Sequence, residues 1–200
     1  IGNAKLSSKI VQTQGYEARR NTEQFFRSRL NFAKSLSAQF NLVRSERLSD
    51  SEFFSNRDFR IRSWQIEPQG TWLPSRDFRT IVSYKYQADR NTLPSPEMPE
   101  LSAAAARQHH LSLEMNWNQS TNTNVRLRSS FVQIAFEGVP ASPVGFAILN
   151  GLQPGQNFLW NVGLDRQLSR NLRLNLSYEG RKTGTARVVH VGRAQVAAVF

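Results

Sequence analysis

The C-terminal stretch of the chain, residues 186–200, alternates side chains of two kinds along its whole length. Successive side chains of an extended strand point to opposite faces of a sheet. Val196, Ala198 and Phe200 therefore share a face with the other even-numbered residues of this stretch, and that face is almost entirely apolar. The pattern predicts one long β-strand over 186–200, with an apolar face and a more polar one.

The same alternation recurs upstream in four pairs of segments, each pair joined by a short link. Alternation with a period of two, bounded by turn residues, indicates β-hairpins. The predicted pairs are 26–32 with 38–42, 66–72 with 78–87, 111–117 with 125–136, and 157–165 with 172–179. A weaker segment near 5–13 and the C-terminal strand bring the total to about ten strands.

Two positions interrupt this pattern. Pro68 has no backbone N–H to donate, so it predicts a bulge or a locally broken ladder in its strand. The alternation also slips near Phe131, and a β-bulge there would explain the slip.

Short and long connections take turns along the chain. The longer ones are predicted at about 45–58, 89–107 and 137–156, with a shorter one around 180–185. Outer-membrane barrels have this asymmetry, with tight periplasmic turns and longer extracellular loops. Segments of about ten residues also suit a tilted membrane crossing. The sequence therefore predicts one all-β domain over 1–200, an antiparallel up-and-down transmembrane β-barrel of about ten strands with both termini on the periplasmic side.

The composition agrees with a barrel but does not require one. The chain has 200 residues, no cysteine, 39% hydrophobic residues and a mean hydropathy of −0.50. A membrane barrel exposes only alternate residues to lipid, so a low average is expected. A soluble antiparallel β-sandwich that binds a polyanion would alternate too. Long polar runs opposite faces rich in Phe, Trp, Tyr and Leu favour the membrane barrel and an outer-membrane location.

The net charge of +11 raises the question of nucleic acid. That function needs a basic patch on a recognisable reader, and the sequence contains no zinc-finger, helix-turn-helix or RNP-like pattern. We therefore expect no nucleic-acid partner. The chain opens on Ile1 instead of methionine, which predicts a processed chain or the C-terminal part of a longer one.

Aromatic and basic residues predict the two rims of the barrel. Trp72, Trp117 and Phe200 lie at strand ends beside short turns or at the terminus, where a periplasmic aromatic girdle would lie. Basic residues gather toward the long connections, and we expect them to contact the phosphates of outer-membrane glycolipid, because the guanidinium fork matches phosphate. An ordinary solvated basic loop surface is the alternative. These predicted lipid-phosphate contacts are Arg44, Arg60, Arg62, Arg181, Lys182 and Arg187.

The polar faces of the strands predict a charged lumen. A barrel of about ten strands has a narrow interior that side chains can largely fill, so the lumen residues are expected to pair with one another. Basic residues outnumber acidic ones, so an anion-preferring channel is the alternative. The predicted lumen network is Arg27, Arg29, Arg79, Lys85, Glu114, Asp165, Arg173, Glu179 and Arg193.

Catalysis has little support in the sequence. His109 and His110 are adjacent and would face opposite sides of a strand, and His190 lies on the apolar face of the last strand. None belongs to a visible triad or to an HExxH-type metal pair. We therefore expect no enzyme, no cofactor and no metal site.

The C-terminal quarter of the chain resembles known outer-membrane proteins. A final strand that ends on Phe200 resembles the terminal strand of bacterial outer-membrane barrels, which implies recognition by the barrel-assembly machinery; Gln195 stands where such strands often carry glycine. The segments 150–160, 171–182 and 190–200 resemble the C-terminal region of large outer-membrane proteins of the Bacteroidota. This resemblance implies a membrane-anchored barrel at the end of a longer chain, and it implies no catalytic residues.

Together these observations predict an outer-membrane barrel that anchors, scaffolds or docks a larger envelope assembly. Its expected partners are outer-membrane lipid and glycolipid, the barrel-assembly machinery and other envelope proteins. A small channel for anions and a soluble polyanion-binding β-sandwich are the two alternatives.

Overall fold

The structure is a computed structural model, and it describes residues 2–12, 15–52, 57–93, 103–119 and 122–198. The predicted girdle residue Phe200 lies outside the described residues. In the described part of the chain, no helix is long and apolar enough to cross a membrane.

The described residues form ten β-strands and one short helix, and the number of strands confirms the predicted count of about ten. The strands are β1 Gly2–Gln12, β2 Gly15–Asn31, β3 Leu36–Ser51, β4 Phe59–Trp72, β5 Phe78–Asn91, β6 Ala105–Asn118, β7 Thr123–Glu137, β8 Gly155–Ser169, β9 Leu172–Thr183 and β10 Val189–Ala198. Helix α1, Pro143–Leu149, lies between β7 and β8.

Each strand pairs antiparallel with the next one along the chain, so the ten strands form a single up-and-down sheet. The predicted antiparallel topology is confirmed, and one sheet replaces the two packed sheets that a β-sandwich would need. Among the described residues, β1 and β10 do not pair with each other, so the sheet is open.

The strand bounds give connections of different lengths at the two ends of the sheet, and two of the bounds depart from those predicted. One end, the short-turn end, carries the links 32–35, 73–77, 119–122 and 170–171. The opposite end, the long-loop end, carries 52–58, 92–104, 138–154 and 184–188 as well as the two-residue link 13–14. The connection predicted at 45–58 is shorter, because β3 continues to Ser51 in register with β4 and β2. The final strand begins at Val189, three residues later than predicted.

The register assigns every strand residue to one of two faces. Trp64, Val82 and Leu111 belong to the apolar face, and paired residues on neighbouring strands continue it, as Ile66 opposite Tyr86 does. Gln65 and Ser112 belong to the polar face. Strand β1 is an exception, because the positions that the register places on the apolar face include the polar residues Asn3, Lys5 and Ser7.

The two predicted irregularities turn out differently. At Pro68 the β4–β5 pairing is interrupted and resumes in the same register, so the ladder is locally broken and no bulge forms. At Phe131 the prediction of a bulge is wrong, because β7 keeps its register with β6 and β8 through this residue. The described pairs contain a register shift at Gln167 and Ser169, between β8 and β9.

Helix α1 explains the slip in the pattern near Phe131. The helix packs on the polar face at the long-loop end, where Val132 and Ile134 of β7 replace polar residues and form a buried cluster with Ile148 and Leu149 of the helix. From Val132 onward, apolar residues therefore occupy the polar-face positions of β7, while Gln133 and Glu137 occupy apolar-face positions, which resembles a change of phase in the sequence.

The ends of α1 are set by local chemistry. The Ser142 side chain accepts a hydrogen bond from the Gly145 N–H, and Pro143 occupies the first turn, where its missing N–H costs nothing. Asn150 ends the helix in the left-handed conformation at φ 51°. A Cβ at Gly145 would overlap the carbonyl oxygens of Val139 and Pro140, so only glycine fits this closely packed turn.

Candidate functional sites on the two faces of the sheet

The apolar face carries a row of aromatic residues at the short-turn end. Trp72 ends β4 and Phe78 begins β5, and their ring centroids lie 6.2 Å apart in an edge-to-face arrangement. Phe78 is the register partner of Trp117 on β6. The structure therefore brings the predicted girdle residues Trp72 and Trp117 to one end of one face.

A second aromatic row, which was not predicted, crosses the same face nearer the long-loop end. Trp64, Tyr86, Trp160 and Tyr178 each lie five residues from the long-loop end of their strands. All 4 tryptophans of the chain belong to one of the two rows. We refer to the surface between the rows as the apolar belt.

The apolar belt has the height of a membrane crossing. Trp72 and Trp64 are separated by eight residues of β4, which is about 26 Å along a strand at roughly 3.3 Å per residue. At a strand tilt of about 40° this becomes about 20 Å, close to the roughly 25 Å apolar band of outer-membrane barrels. Large side chains in the belt are exposed, including Ile66, Val82 and Leu111.

Two histidines join the second aromatic row. The His109 Nδ1 atom lies 2.7 Å from the hydroxyl oxygen of Tyr84, and the His190 Nδ1 atom lies 2.8 Å from that of Tyr178. His110 points to the polar face, where its Nε2 atom is 3.1 Å from the Gln108 side-chain oxygen. The described residues contain no group of three His, Asp or Glu side chains that could hold a metal ion.

The predicted phosphate-binding residues do not form one cluster. All four of Arg44, Arg60, Arg62 and Lys182 lie on the apolar face. Arg44 is level with the second aromatic row, as the register partner of Trp64, and the other three lie beyond it. Lys182 is on β9, far across the sheet from β3 and β4. Arg181 lies on the polar face opposite Leu159, so the structure does not place it with the others. Arg187 lies in the exposed connection between β9 and β10.

The arginines on β3 and β4 do form a local group. The Arg62 Nε atom donates to Glu46 Oε2 at 3.0 Å, and the Arg44 guanidinium lies over the Trp64 ring at 5.6 Å from its centroid. The Nε atom of Arg60 has no hydrogen-bond partner among the described residues.

The polar face carries every residue of the predicted lumen network. The ones placed there by the register are Arg27, Arg29, Arg79, Lys85, Glu114, Asp165, Arg173, Glu179 and Arg193. Some of them pair. Arg173 donates two hydrogen bonds of 2.7 Å to the Asp165 carboxylate, Arg128 donates one of 2.8 Å to Glu114, and Arg27 donates to the Asn41 side chain.

A buried cluster around Asp89 was missed in the sequence. The side chain of Asp89 has no exposed surface, and it accepts hydrogen bonds from Ser63 Oγ at 2.5 Å, Gln87 Nε2 at 2.9 Å and Gln108 Nε2 at 2.9 Å. The Arg47 Nη2 atom lies 3.9 Å away. Alternation places these side chains on the polar face, but their burial comes from α1, which alternation does not predict.

The Asp89 cluster also holds α1 in place. Gln108 Nε2 donates to the carbonyl oxygen of Ile148 at 3.1 Å, and Arg47 Nη1 donates to that of Ala147 at 3.0 Å. Carbonyls of the last helical turn have no backbone partner within the helix, so side chains of the sheet supply donors to them here. The Asn150 Nδ2 atom also donates to the Ile148 carbonyl, at 3.4 Å. The helix is thereby fastened across the polar face at the long-loop end.

The opposite end of the polar face is open and basic. A cavity of about 990 Å³ lies at the short-turn end, and its wall contains five arginines. These are Arg76, Arg79, Arg126, Arg170 and Arg173, and Asp165 is the acidic residue among them. Arg173 is paired with Asp165, so the remaining guanidinium groups give this end an excess of positive charge.

Comparisons with known proteins give the fold and no family. No protein-family model matches the chain, and no curated protein does. Among solved structures, it is similar to a loop-deletion mutant of OmpT, an outer-membrane protein of Vibrio cholerae. The TM-score is 0.60 at 8% identity, covering 96% of this chain and 62% of that one. The chain thus spans less than two thirds of the length of OmpT.

A second similar structure is the NanC porin, with a TM-score of 0.50, 6% identity, and coverage of 99% of this chain and 93% of that one. At these identities the likeness establishes the fold alone. The chain has the antiparallel up-and-down β fold of outer-membrane barrel proteins.

Proposed function

We propose that these ten strands form the wall of an outer-membrane β-barrel, with the apolar face toward lipid and the polar face toward a lumen. The observation that carries this proposal is the apolar belt, whose two aromatic rows lie about 20 Å apart, close to the roughly 25 Å apolar band of outer-membrane barrels. The fold shared with outer-membrane proteins supports the predicted location. The resemblance to proteins of the Bacteroidota stays a prediction.

Closure of the sheet is part of this proposal. Unpaired backbone groups cost several kcal/mol each in hydrocarbon, so an open edge does not persist in a membrane. The edges of β1 and β10 must therefore be paired, either with each other or with further strands. The polar residues Asn3, Lys5 and Ser7 on the apolar face of β1 make that strand the least suited to contact lipid.

The depth of the tryptophans tests the membrane proposal. The protein would be folded into vesicles whose lipids carry bromine either near the headgroups or near the bilayer centre. Because all 4 tryptophans belong to the two rows, we expect stronger quenching of their fluorescence by the shallow label. Quenching by neither label would contradict the proposal.

The role that we propose first is to anchor or dock a larger envelope assembly. The position of α1 supports it, because the helix covers the polar face at the long-loop end, and a narrowed lumen suits an anchor better than a pore. Native protein extracted in mild detergent, with co-purifying chains identified by mass spectrometry, tests this role. A stable complex would support it, and a lone chain would count against it. Lipid, glycolipid and the barrel-assembly machinery stay proposed partners.

The second candidate function is a small anion-preferring channel, and the basic cavity at the short-turn end favours it. Electrostatic selection by rings of arginine is a recognised basis of anion preference. Planar-bilayer recordings in a salt gradient would give a reversal potential on the anion side. Replacing Arg79 and Arg126 with glutamate should move the reversal potential toward cations, whereas an absence of conductance would exclude the channel.

A further inference from the structure

The two most exposed large apolar side chains in the described part of the chain are Leu6 and Phe146, at 73% and 68%. Neither belongs to the apolar belt. Leu6 lies on the polar face of β1, opposite Asn21, and Phe146 projects from α1, which is packed on the polar face. Contact with lipid therefore does not account for their exposure.

Both side chains line the same cavity. It has a volume of about 620 Å³ and lies at the long-loop end between α1 and strands β1 to β4. Phe59, half-buried on β4, and Ala147 add to its apolar wall. Cavities of roughly 300 to 1,000 Å³ that combine apolar walls with a few polar groups are typical binding sites for small molecules.

Arginines stand beside the apolar wall of this cavity. The Arg19 side chain is 70% exposed and pairs with Glu17 at 2.6 Å. The Arg47 guanidinium is only 29% exposed, and its bond to the Ala147 carbonyl and its proximity to Asp89 hold it in position. Basic residues outnumber Glu17, the acidic residue in the wall, so the cavity suits a negatively charged group.

We propose that this cavity binds a small organic carboxylate with an apolar body, its ring or chain against Phe146 and Leu6 and its carboxylate toward Arg19 and Arg47. An ordered guanidinium is well suited to a carboxylate, because its planar fork matches the two oxygens. This proposal rests on the proposed function in one respect, because it takes the polar face to be the lumen of a barrel. It deepens that function by naming a solute class for the long-loop end.

The test uses 4-phenylbutyrate as the probe and its neutral amide as the control ligand. Isothermal titration calorimetry would be performed on the full chain folded in detergent, after a circular dichroism spectrum shows β structure. We expect saturable binding of the acid and at least tenfold weaker binding of the amide. The Arg19→Gln variant should lose most of this preference for the acid.

The variant Phe146→Ala should weaken binding of the acid about tenfold, because the phenyl ring of the ligand loses its contact with the Phe146 ring. Its matched control is Phe32→Ala, since Phe32 is 66% exposed but lies near the short-turn end, away from the cavity. Equal binding of acid and amide, equal effects of the two alanine variants, or no saturable binding by folded protein would each overturn the proposal. If the protein binds the acid but its tryptophans are quenched by neither lipid label, the binding site is supported and the barrel proposal is refuted.

Discussion

Trp160 and Gly180 show how closely single residues are matched on the apolar face. They are register partners on β8 and β9, and the indole lies over the glycine, where a Cβ would overlap the ring. The ring also contacts His190 on β10, with centroids 5.7 Å apart. A large residue beside a glycine thus links three strands through one side chain.

The variant Gly180→Val should displace the Trp160 ring and lower stability by about 1–3 kcal/mol, the usual cost of overpacking. The measurement is the midpoint temperature at which the folded band on a semi-native gel disappears. Gly192→Val is the matched control, because Gly192 lies on the same face of β10 and nothing comes within 4 Å of a Cβ there. Equal midpoints for the two variants would contradict this account.

The proposed contact of Arg60 and Arg62 with glycolipid can be tested by comparison with an arginine on the opposite face of the sheet. The double variant Arg60→Gln with Arg62→Gln should reduce the phosphorylated glycolipid that co-purifies with the protein, measured by mass spectrometry, because two guanidinium groups on the lipid side are lost. Arg181→Gln is the control, since Arg181 lies on the polar face. An unchanged amount in the double variant would refute the proposed lipid contact.

Helix α1 is the element whose position depends most on tertiary contacts. Seven residues are too few to form a stable helix alone, so its position depends on the buried Val144, Ile148 and Leu149 and on the bonds from Gln108 and Arg47. These contacts explain why α1 packs on the polar face of the sheet, because they hold the long connection after β7 against that face. At this end of the sheet the helix covers the polar face.

The variant Gly145→Ala should loosen the packing of α1 on the sheet, because the added Cβ would overlap the backbone carbonyls of Val139 and Pro140. We expect faster protease cleavage within residues 138–154 and, if the barrel conducts, a higher conductance. Phe146→Ala is the control, since Phe146 is exposed and contributes nothing to the docked face. Protection equal to that of the unmodified protein would show that the turn accommodates a side chain.

The buried carboxylate under the helix gives an independent test. Asp89→Ala removes the carboxylate that accepts hydrogen bonds from Ser63, Gln87 and Gln108. Leaving a buried donor without its acceptor costs about 1–3 kcal/mol. Urea unfolding in lipid vesicles would measure the loss. An exposed carboxylate, Asp77 in the connection 73–77, provides the control, and Asp77→Ala should change stability by less than about 0.5 kcal/mol. If Asp89→Ala changes the free energy of unfolding as little as Asp77→Ala does, the cluster does not stabilise the folded state.

The molecule as a whole is a sheet with one lipid-compatible face, and two neighbouring residues test this. Val82 lies in the middle of the apolar belt and is 47% exposed, while Ser83 lies on the polar face. In a membrane, Val82→Lys should cost about 2–4 kcal/mol near the midplane, whereas Ser83→Lys should be tolerated. The folded fraction in vesicles measures both. Equal tolerance of the two substitutions would indicate that both faces are in water, because a water-exposed valine can be replaced by lysine at little cost.

Alternation alone was enough to predict about ten strands, their order in hairpins and the common face of the predicted lumen residues. Arg27, Glu114 and Asp165 were assigned to the polar face because that assignment depends only on odd or even position within a strand. The prediction failed where a third element contacts the sheet. Val132 and Ile134 were read as a phase slip, because their burial depends on α1 and not on their neighbours in sequence.

The sequence by itself determined the period of two, and with it the antiparallel sheet and its apolar and polar faces, because side-chain direction in a strand is a local property of the backbone. Only the tertiary structure decided the burial of Asp89, the docking of α1, the second aromatic row and the distance of Lys182 from the arginines of β3 and β4. Each of these depends on strand register or on a connection folding back, and such contacts join residues far apart in the chain.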